Sequence, residues 1–223
     1  MPVSPERSPH YHLGYSFQLV TICMSAYMYF GVDSVAFSSV IFGCAQIGVI
    51  KDKIMSIKPL GIYRNHKTYT NISRYNRKTL IECVKHHQAV ISFTELVEDT
   101  YNSYLLFQLV GSVGIICGLA QCPITIPIAI LCYLSVMISQ LFVCCWCGHE
   151  LSATSEELHT ILYNCAWYDQ DVKFKRDLNF MMARARRPIL LRAGYYISLS
   201  RQSFVSILRM SYSYFAVLNQ TNK

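Results

Sequence analysis

The chain has 223 residues, of which 52% are hydrophobic and 15% charged, and its formal net charge is +7. A soluble domain of this length would carry about a quarter charged residues. Because the apolar residues form long blocks, the composition excludes an ordinary soluble protein and indicates an all-α, polytopic transmembrane helix bundle. The positive charge lies in two segments between apolar blocks, which membrane orientation explains better than nucleic-acid binding.

The first apolar block runs from about residue 13 to residue 50. As one helix it would be about 57 Å long, nearly twice the hydrocarbon thickness of a bilayer. Two interpretations are open: two spans that turn near 31–33, or one helix that leaves the membrane and continues into the cytosol. The second is favoured because only Gly31 supplies turn chemistry. We therefore predict a transmembrane helix with a cytosolic extension at 13–56.

Nine lysines and arginines lie between residues 51 and 87. This excess predicts a cytosolic loop at 57–79 by the positive-inside rule. The sequon at Asn71 would then remain unmodified. Residues 80–122 are predicted as a second cytosolic extension and membrane span.

The extension in 80–122 carries Glu95, Glu98 and Asp99 on one helical face. A solvated or salt-bridged face is a more common arrangement than a catalytic carboxylate pair, and we expect the former. In the membrane half, small residues recur and permit close helix approach. They are Gly111, Ser112, Gly114 and Gly118.

A short uncharged turn at 121–127 suits an extracellular hairpin, and a third span is predicted at 125–150. Residues 151–192 are polar with helical periodicity, which predicts folded cytosolic helices that end before Pro188. The last segment, 193–220, is long enough to span a membrane but rich in serine, with Arg201 and Arg209 inside it. Its serines fit either a packed helix with hydroxyls bonded to the backbone or a water-lined path.

Four spans with both charged regions inside place both ends of this chain outside the cell, in a multi-pass cell-membrane protein. A G-protein-coupled receptor ends inside, so this pattern argues against that class.

Ten cysteines are present, most of them within apolar blocks, where a thiol behaves as a small hydrophobe. Cys144, Cys145, Cys147 and His149 lack the spacing of a zinc site, and we expect no metal or cofactor. Packing explains these thiols better than palmitoylation. His86 and His87 point about 100° apart on a helix. Since no catalytic constellation is visible, an enzyme is not expected.

Several ordered motifs resemble those of the insect odorant receptors, an inverted seven-helix family. They are GHEL at 148–151, SEEL at 155–158, YNCAWY at 163–168, FKRDL at 174–178, MARARRP at 182–188 and LRMSYSYFAVL at 208–218. The resemblance covers helices four to seven of the family, and Met1 falls in the extracellular loop before helix four, so that 1–12 is a remnant of that loop. Family members are nearly twice as long, which indicates a fragment, a truncated gene model or a short isoform.

The resemblance implies an odorant-gated, non-selective cation channel that acts with a shared co-receptor in a hetero-tetramer. It makes 151–192 the anchor helices that hold subunit contacts and 193–220 the pore-lining helix. The alternatives are a gustatory-type receptor channel, whose terminal motif differs from 213–220, and a non-functional truncated isoform.

Three sets of residues follow from the resemblance. The pore and gate would be formed by Val217, Leu218, Gln220 and Thr221. A small volatile ligand would contact Tyr15, Leu19, Ile22, Cys23, Ala26, Tyr133 and Met137. The anchor and subunit contacts would include Trp167, Phe174, Leu178, Met182 and Pro188. Arg209 would repel cations if it faced the pore, so we expect it to point to a neighbouring helix or a carboxylate.

Overall fold

The computed structural model describes residues 8–62, 66–119 and 128–221. Side chains are described throughout these ranges except at 8–11, 66, 115–119, 128–131, 133, 214, 215 and 218–221. The predicted hairpin at 121–127 lies outside the described residues. The chain forms two compact units, residues 1–39 and 40–223.

The described part of the first unit is helical and belongs to α1, which runs from Ser8–Met55. The helix does not turn near 31–33, so the two-span alternative is wrong. From Leu13 to Phe30 nearly every side chain is exposed, including large apolar ones. Hydroxyl groups of Thr21 and Ser25 donate to carbonyls four residues earlier, each at 2.8 Å. A largely apolar surface on all sides, with these two hydroxyls bonded internally, suits a lipid environment.

The second unit contains the end of α1, the long helices α2 (His66–Leu119) and α3 (Ile128–Asn164), and the shorter α4 (Val172–Ala185). A two-stranded hairpin, β1 (Arg192–Ala193) and β2 (Ile197–Ser198), precedes the last helix, α5 (Arg201–Thr221). The α2 helix packs against α3, α4, α5 and β1, and α3 also packs against α4 and α5. Within the described residues, α1 and α3 are long and apolar enough to cross a membrane.

Two helix boundaries differ from the predicted ones. The α2 helix begins at His66, inside the predicted loop, because a helical face of 66–79 is buried at Asn76 and Thr79 despite the surrounding charges. The α5 helix begins at Arg201 and not at 193, since residues 192–198 form the hairpin. Lysine and arginine are good helix formers, so a basic stretch is not by itself evidence for a loop.

The most buried side chains lie at helical spacing on four helices. Each is at most 3% exposed, and fully burying such a side chain contributes about 1.5 to 3 kcal/mol. They are Ile47, Ile50 and Ile54 of α1, Leu80 and Cys83 of α2, Leu151, Leu158 and Leu162 of α3, and Phe174, Leu178 and Met181 of α4. All lie in the stretches predicted to be cytosolic, and those on α3 and α4 belong to the predicted anchor helices at 151–192.

A buried amide cluster joins α2 to the connection between α1 and α2 and to the connection between α3 and α4. The side-chain nitrogen of Asn76 donates to the Lys58 carbonyl at 2.8 Å and to Oε1 of Gln170 at 3.3 Å. Gln170 in turn donates to the carbonyls of Lys58 at 3.0 Å and Ala166 at 3.1 Å. Because Asn76 and Gln170 are 0% and 5% exposed, these bonds satisfy groups that would be costly to bury alone.

Candidate functional site: the last helix and its attachment

The last helix begins with a serine cap. The backbone N–H of Ser203 donates to Oγ of Ser200 at 3.1 Å, which satisfies a donor left free by the first helical turn. Oγ of Ser203 donates to the carbonyl of Ser198 at 2.6 Å. Two of the serines noted in the sequence therefore fix the start of α5.

One side of α5 packs on α3 through aromatic rings and a cation. The rings of Phe204 and Phe142 meet edge to face, with centroids 5.4 Å apart. The guanidinium of Arg201 lies 3.9 Å from the ring centroid of Trp146 and 3.9 Å from a carboxylate oxygen of Glu150. Arg201 thus has a cation–π contact and an ion pair at the base of the helix.

The same face of α5 is buried further along, at Ile207 and Ser211, both 4% exposed. Oγ of Ser211 donates to the carbonyl of Ile207 at 3.0 Å, which is the internal bonding expected of a packed serine. The packed-helix interpretation is therefore correct for this face.

The opposite face of α5 is exposed and mainly polar. At 100° per residue, five exposed positions fall within an arc of about 80°. They are Gln202, Ser206, Arg209, Ser213 and Val217. Below, this set is called the exposed stripe.

Arg209 belongs to the exposed stripe, which contradicts the expectation that it points to a neighbouring helix or carboxylate. Its side chain is exposed, and no ion pair within the described residues includes it. The helical register is the reason, since Arg209 falls between Ser206 and Ser213 on the face away from Ile207.

The predicted gate lies at the end of the described helix. Val217 is 60% exposed and continues the exposed stripe. Leu218, Gln220 and Thr221 have helical backbone, and their side chains lie outside the described residues.

The predicted ligand contacts fall in both units. Tyr15, Leu19, Ile22, Cys23 and Ala26 are exposed, and their spacing puts them on one side of α1. On α3, Met137 is half-buried. The side chain of Tyr133 lies outside the described residues.

The predicted anchor residues divide into two groups. Phe174 and Leu178 are 1% and 3% exposed, so they pack inside this chain and have no surface to offer another subunit. Trp167, Met182 and Pro188 are half-buried, and the indole of Trp167 donates to the Tyr163 carbonyl at 3.0 Å. Phe180, on the other side of α4, is 67% exposed and was missed because helical spacing alone does not show which apolar side faces the core.

The acidic face of α2 receives the hairpin. The hydroxyl of Tyr195 donates to Asp99 at 2.9 Å. Burial raises the pKa of the Glu98 carboxyl, although the nearby Arg192 acts in the opposite direction. The acidic face is thus not wholly solvated, since Asp99 binds the hairpin and Glu98 lies near Arg192.

Small residues and cysteines behave in different ways. A Cβ added at Gly111 or Gly114 would meet nothing within 4 Å, so the described residues make no close helix contact there. Cys144, Cys145 and Cys147 are buried, as expected of packed cysteines. Across the described residues, no cluster of His, Cys, Asp and Glu has the arrangement of a metal site.

Comparison with known proteins decides the family. A sequence model of the family described as 7tm Odorant receptor matches residues 1–212. The chain belongs to this odorant receptor family. It is therefore a member of a membrane receptor family rather than an enzyme family, and the gustatory-type alternative is not supported.

Individual relatives agree with this odorant receptor assignment. Odorant receptor 2a of Drosophila melanogaster is 33% identical over 147 residues, which cover 62% of this chain and 37% of that protein. Odorant receptor 10 of Aedes albopictus is 25% identical over 217 residues, which cover 96% of this chain and 56% of that protein. The chain thus matches about half, or less, of the length of these relatives.

Solved structures show the same fold. The insect olfactory receptor OR5 of Machilis hrabei has a TM-score of 0.84 at 15% identity, with 99% of this chain and 56% of that chain covered. The OR5 structure in complex with eugenol has a TM-score of 0.80 at 16% identity and the same coverage. This similarity confirms the predicted helical transmembrane bundle.

Proposed function

We propose that this chain is an odorant receptor subunit that forms, together with a co-receptor subunit, an odorant-gated non-selective cation channel. The observation that carries the proposal is the exposed stripe of α5. One face of this helix packs on α3, while the other presents Gln202, Ser206 and Ser213 in a row that ends at Val217. In a membrane such a row is stable only against water or protein.

Gating is proposed to occur at the apolar end of the stripe. Water and cations pass along the serine and glutamine side chains, and a ring of Val217 side chains from neighbouring subunits closes the path by excluding water. Leu218, Gln220 and Thr221 follow Val217 toward the outer mouth.

Arg209 adds a positive charge to this path. A guanidinium on the exposed stripe repels cations, so it lowers cation flow through the pore relative to a neutral residue. A hetero-tetramer reduces this effect, because only some of the subunits are copies of this chain.

Ligand binding is proposed on the outer half of the bundle. Tyr15, Leu19 and Ile22 offer an apolar surface with a phenol as polar anchor, which suits a small volatile molecule. Cys23, Ala26, Tyr133 and Met137 complete the proposed set.

Four spans are proposed, with both ends of this chain outside the cell. The cytosolic parts of α1 to α4 form the anchor that meets the co-receptor, through the half-buried Trp167, Met182 and Pro188 and the exposed Phe180.

The test is co-expression with an odorant receptor co-receptor subunit in oocytes, with currents recorded while panels of volatile compounds are applied. Both this chain and any longer reading frame found upstream of Met1 in its gene are expressed, each with a tag at the C-terminus. Staining of the tag on intact cells measures surface expression and tests the outward orientation.

The proposal predicts odorant-dependent cation current and staining without permeabilisation. If both forms reach the surface and neither responds, the channel proposal fails. Current from the longer form alone would identify the short chain as the non-functional truncated isoform. Staining only after permeabilisation would overturn the orientation.

A further inference from the structure

The hairpin before α5 has an unusual backbone. Its loop consists of Gly194, Tyr195 and Tyr196, and the first two have φ of 64° and 60°. The left-handed region is ordinary for glycine and uncommon for tyrosine. A side chain in this conformation persists only where its surroundings hold it.

The α2 helix supplies the contacts that hold the loop. The backbone carbonyl of Asn102 accepts a hydrogen bond from the N–H of Gly194 at 3.4 Å. The side-chain Oδ1 of Asn102 accepts a second one from the N–H of Tyr195 at 3.0 Å. One turn earlier, Asp99 accepts the hydroxyl of Tyr195 at 2.9 Å. Asn102 is 4% exposed, so its amide is committed to this contact.

Close packing adds to these three hydrogen bonds. A Cβ at Gly194 would lie 2.8 Å and 2.9 Å from the methyl carbons of Leu106. The loop therefore lies directly on α2, and any larger residue at position 194 would have to displace Leu106 while adopting an uncommon backbone conformation.

The hairpin is joined directly to the start of α5 by hydrogen-bonded residues. The N–H of Leu199 donates to the carbonyl of Leu191 at 2.9 Å, which closes the base of the hairpin, and Ser200 then caps α5. On the other side, Leu199 lies against Gly148 of α3. Any displacement of the inner end of α5 must therefore move the hairpin on α2.

We infer that Asn102, Asp99 and Tyr195 form a clasp that positions the inner end of the pore helix during gating. This inference rests on the proposed channel function. With its base held between α2 and α3, α5 can move mainly at its outer end, where Val217 lies. When the clasp is loosened, part of the movement that ligand binding causes occurs at the start of α5 and not at Val217. A given ligand occupancy therefore opens the pore less.

The functional test uses the co-expressed complex and an odorant that activates it. Tyr195→Phe removes the bond to Asp99, and Asn102→Ala removes the side-chain acceptor of the Tyr195 N–H. Each variant is expected to raise the half-effective odorant concentration about threefold to tenfold, the range that corresponds to one lost hydrogen bond. Ion selectivity should not change.

Two matched controls come from the next residues along the chain. Tyr196→Phe alters a hairpin tyrosine that is 92% exposed, and Ser103→Ala alters an exposed neighbour of Asn102. Both should give the wild-type half-effective concentration. The inference would be overturned if Tyr195→Phe and Asn102→Ala left the half-effective concentration unchanged or lowered it, with currents that fall only in proportion to surface expression.

Hydrogen exchange tests the same geometry without channel activity. In the purified complex, Asn102→Ala should increase amide exchange in 192–200 and in the first two turns of α5, while Ser103→Ala should not. If the wild-type complex carries no odorant current, the proposed channel function fails, whereas exchange still decides whether the clasp positions α5. Unchanged exchange in Asn102→Ala would refute it.

Discussion

Lys51 of α1 and Glu157 of α3 form an ion pair, with Nζ and Oε2 2.5 Å apart, although 106 residues separate them in the chain. The two ends differ, because the lysine side chain is 11% exposed and the glutamate side chain 65% exposed. Removal of the glutamate therefore has a different consequence from removal of the lysine. Without Glu157 a buried ammonium loses its counter-charge, whereas without Lys51 the carboxylate is still largely hydrated.

Glu157→Gln should accordingly destabilise the protein by about 1 to 2 kcal/mol. Lys51→Met should cost less, since methionine fills similar space and leaves no buried charge. Thermal unfolding of the detergent-purified variants measures both. Glu156→Gln, at an exposed neighbouring position, is the control and should match the wild type. Equal losses for Glu157→Gln and Lys51→Met would show that the exposure difference does not govern this pair.

Gly148→Ala should destabilise the contact between α3 and the start of α5. Its Cβ would lie 2.6 Å from Cβ and 2.8 Å from the carbonyl oxygen of Leu199, and a backbone neighbour cannot rotate away. We expect a loss of about 1 to 3 kcal/mol in thermal unfolding. Gly111→Ala is the control, because its Cβ meets nothing within 4 Å and alanine favours a helix by up to about 1 kcal/mol. A stable Gly148→Ala variant would contradict this close approach.

His87 should make stability depend on pH. Burial, together with the nearby positive charge of Arg184, lowers the pKa of its imidazole from 6.5 to about 4. A histidine with a lowered pKa stabilises the folded state fully above the unfolded value of 6.5, and this contribution is lost as the pH falls from 6.5 toward 4. The wild type should therefore melt at lower temperature at pH 5 than at pH 7.

The variant His87→Gln should show a smaller difference between the two pH values, because its amide takes up no proton. Gln88→Asn, at the exposed position next to His87, should retain the full wild-type difference. Equal pH dependence in His87→Gln and the wild type would exclude His87 as the source.

Val217→Ala should weaken the proposed gate. A smaller side chain widens an apolar constriction and makes it easier to wet, so ligand-independent current should rise or relative cation permeability should change. Voltage clamp with ion substitution measures both quantities. Val205→Ala, at a position on α5 that is 52% exposed and outside the exposed stripe, should leave them unchanged. Wild-type permeation in Val217→Ala would place the gate elsewhere.

Arg209→Gln should increase cation conductance. Removing one positive charge from the path in water-like surroundings corresponds to roughly 0.5 to 1 kcal/mol, or about a two- to fivefold increase. Single-channel recording gives the value directly, and Arg209→Lys, which keeps the charge, should resemble the wild type. Equal conductance in Arg209→Gln and the wild type would remove Arg209 from the ion path.

Much of the helical content follows from local patterns in the sequence. The unbroken α1 was expected because a turn near 31–33 lacks turn residues beyond Gly31, and a helix that contains Phe174 and Leu178 was expected from their spacing. The ordered motifs from 148 to 218 were sufficient to identify the odorant receptor family.

The boundaries of the helices and strands were harder to predict from the sequence. The start of α2 at His66 was missed because positive charge was interpreted as a loop, while the buried side of 66–79 depends on partners such as Gln170. The hairpin at 192–198 was missed because two strands of two residues each carry no periodicity.

The sequence by itself determined the membrane class, the helix-rich fold and the family, since apolar blocks, helical spacing and motif order are all properties of neighbouring residues. Tertiary structure alone decided which face of α5 is buried, where Arg209 points and that Asn102 holds Tyr195. Those outcomes depend on pairs such as Asn102 and Tyr195, 93 residues apart. No local pattern encodes such a pair, because its free energy arises only when distant helices exclude water from the same polar groups.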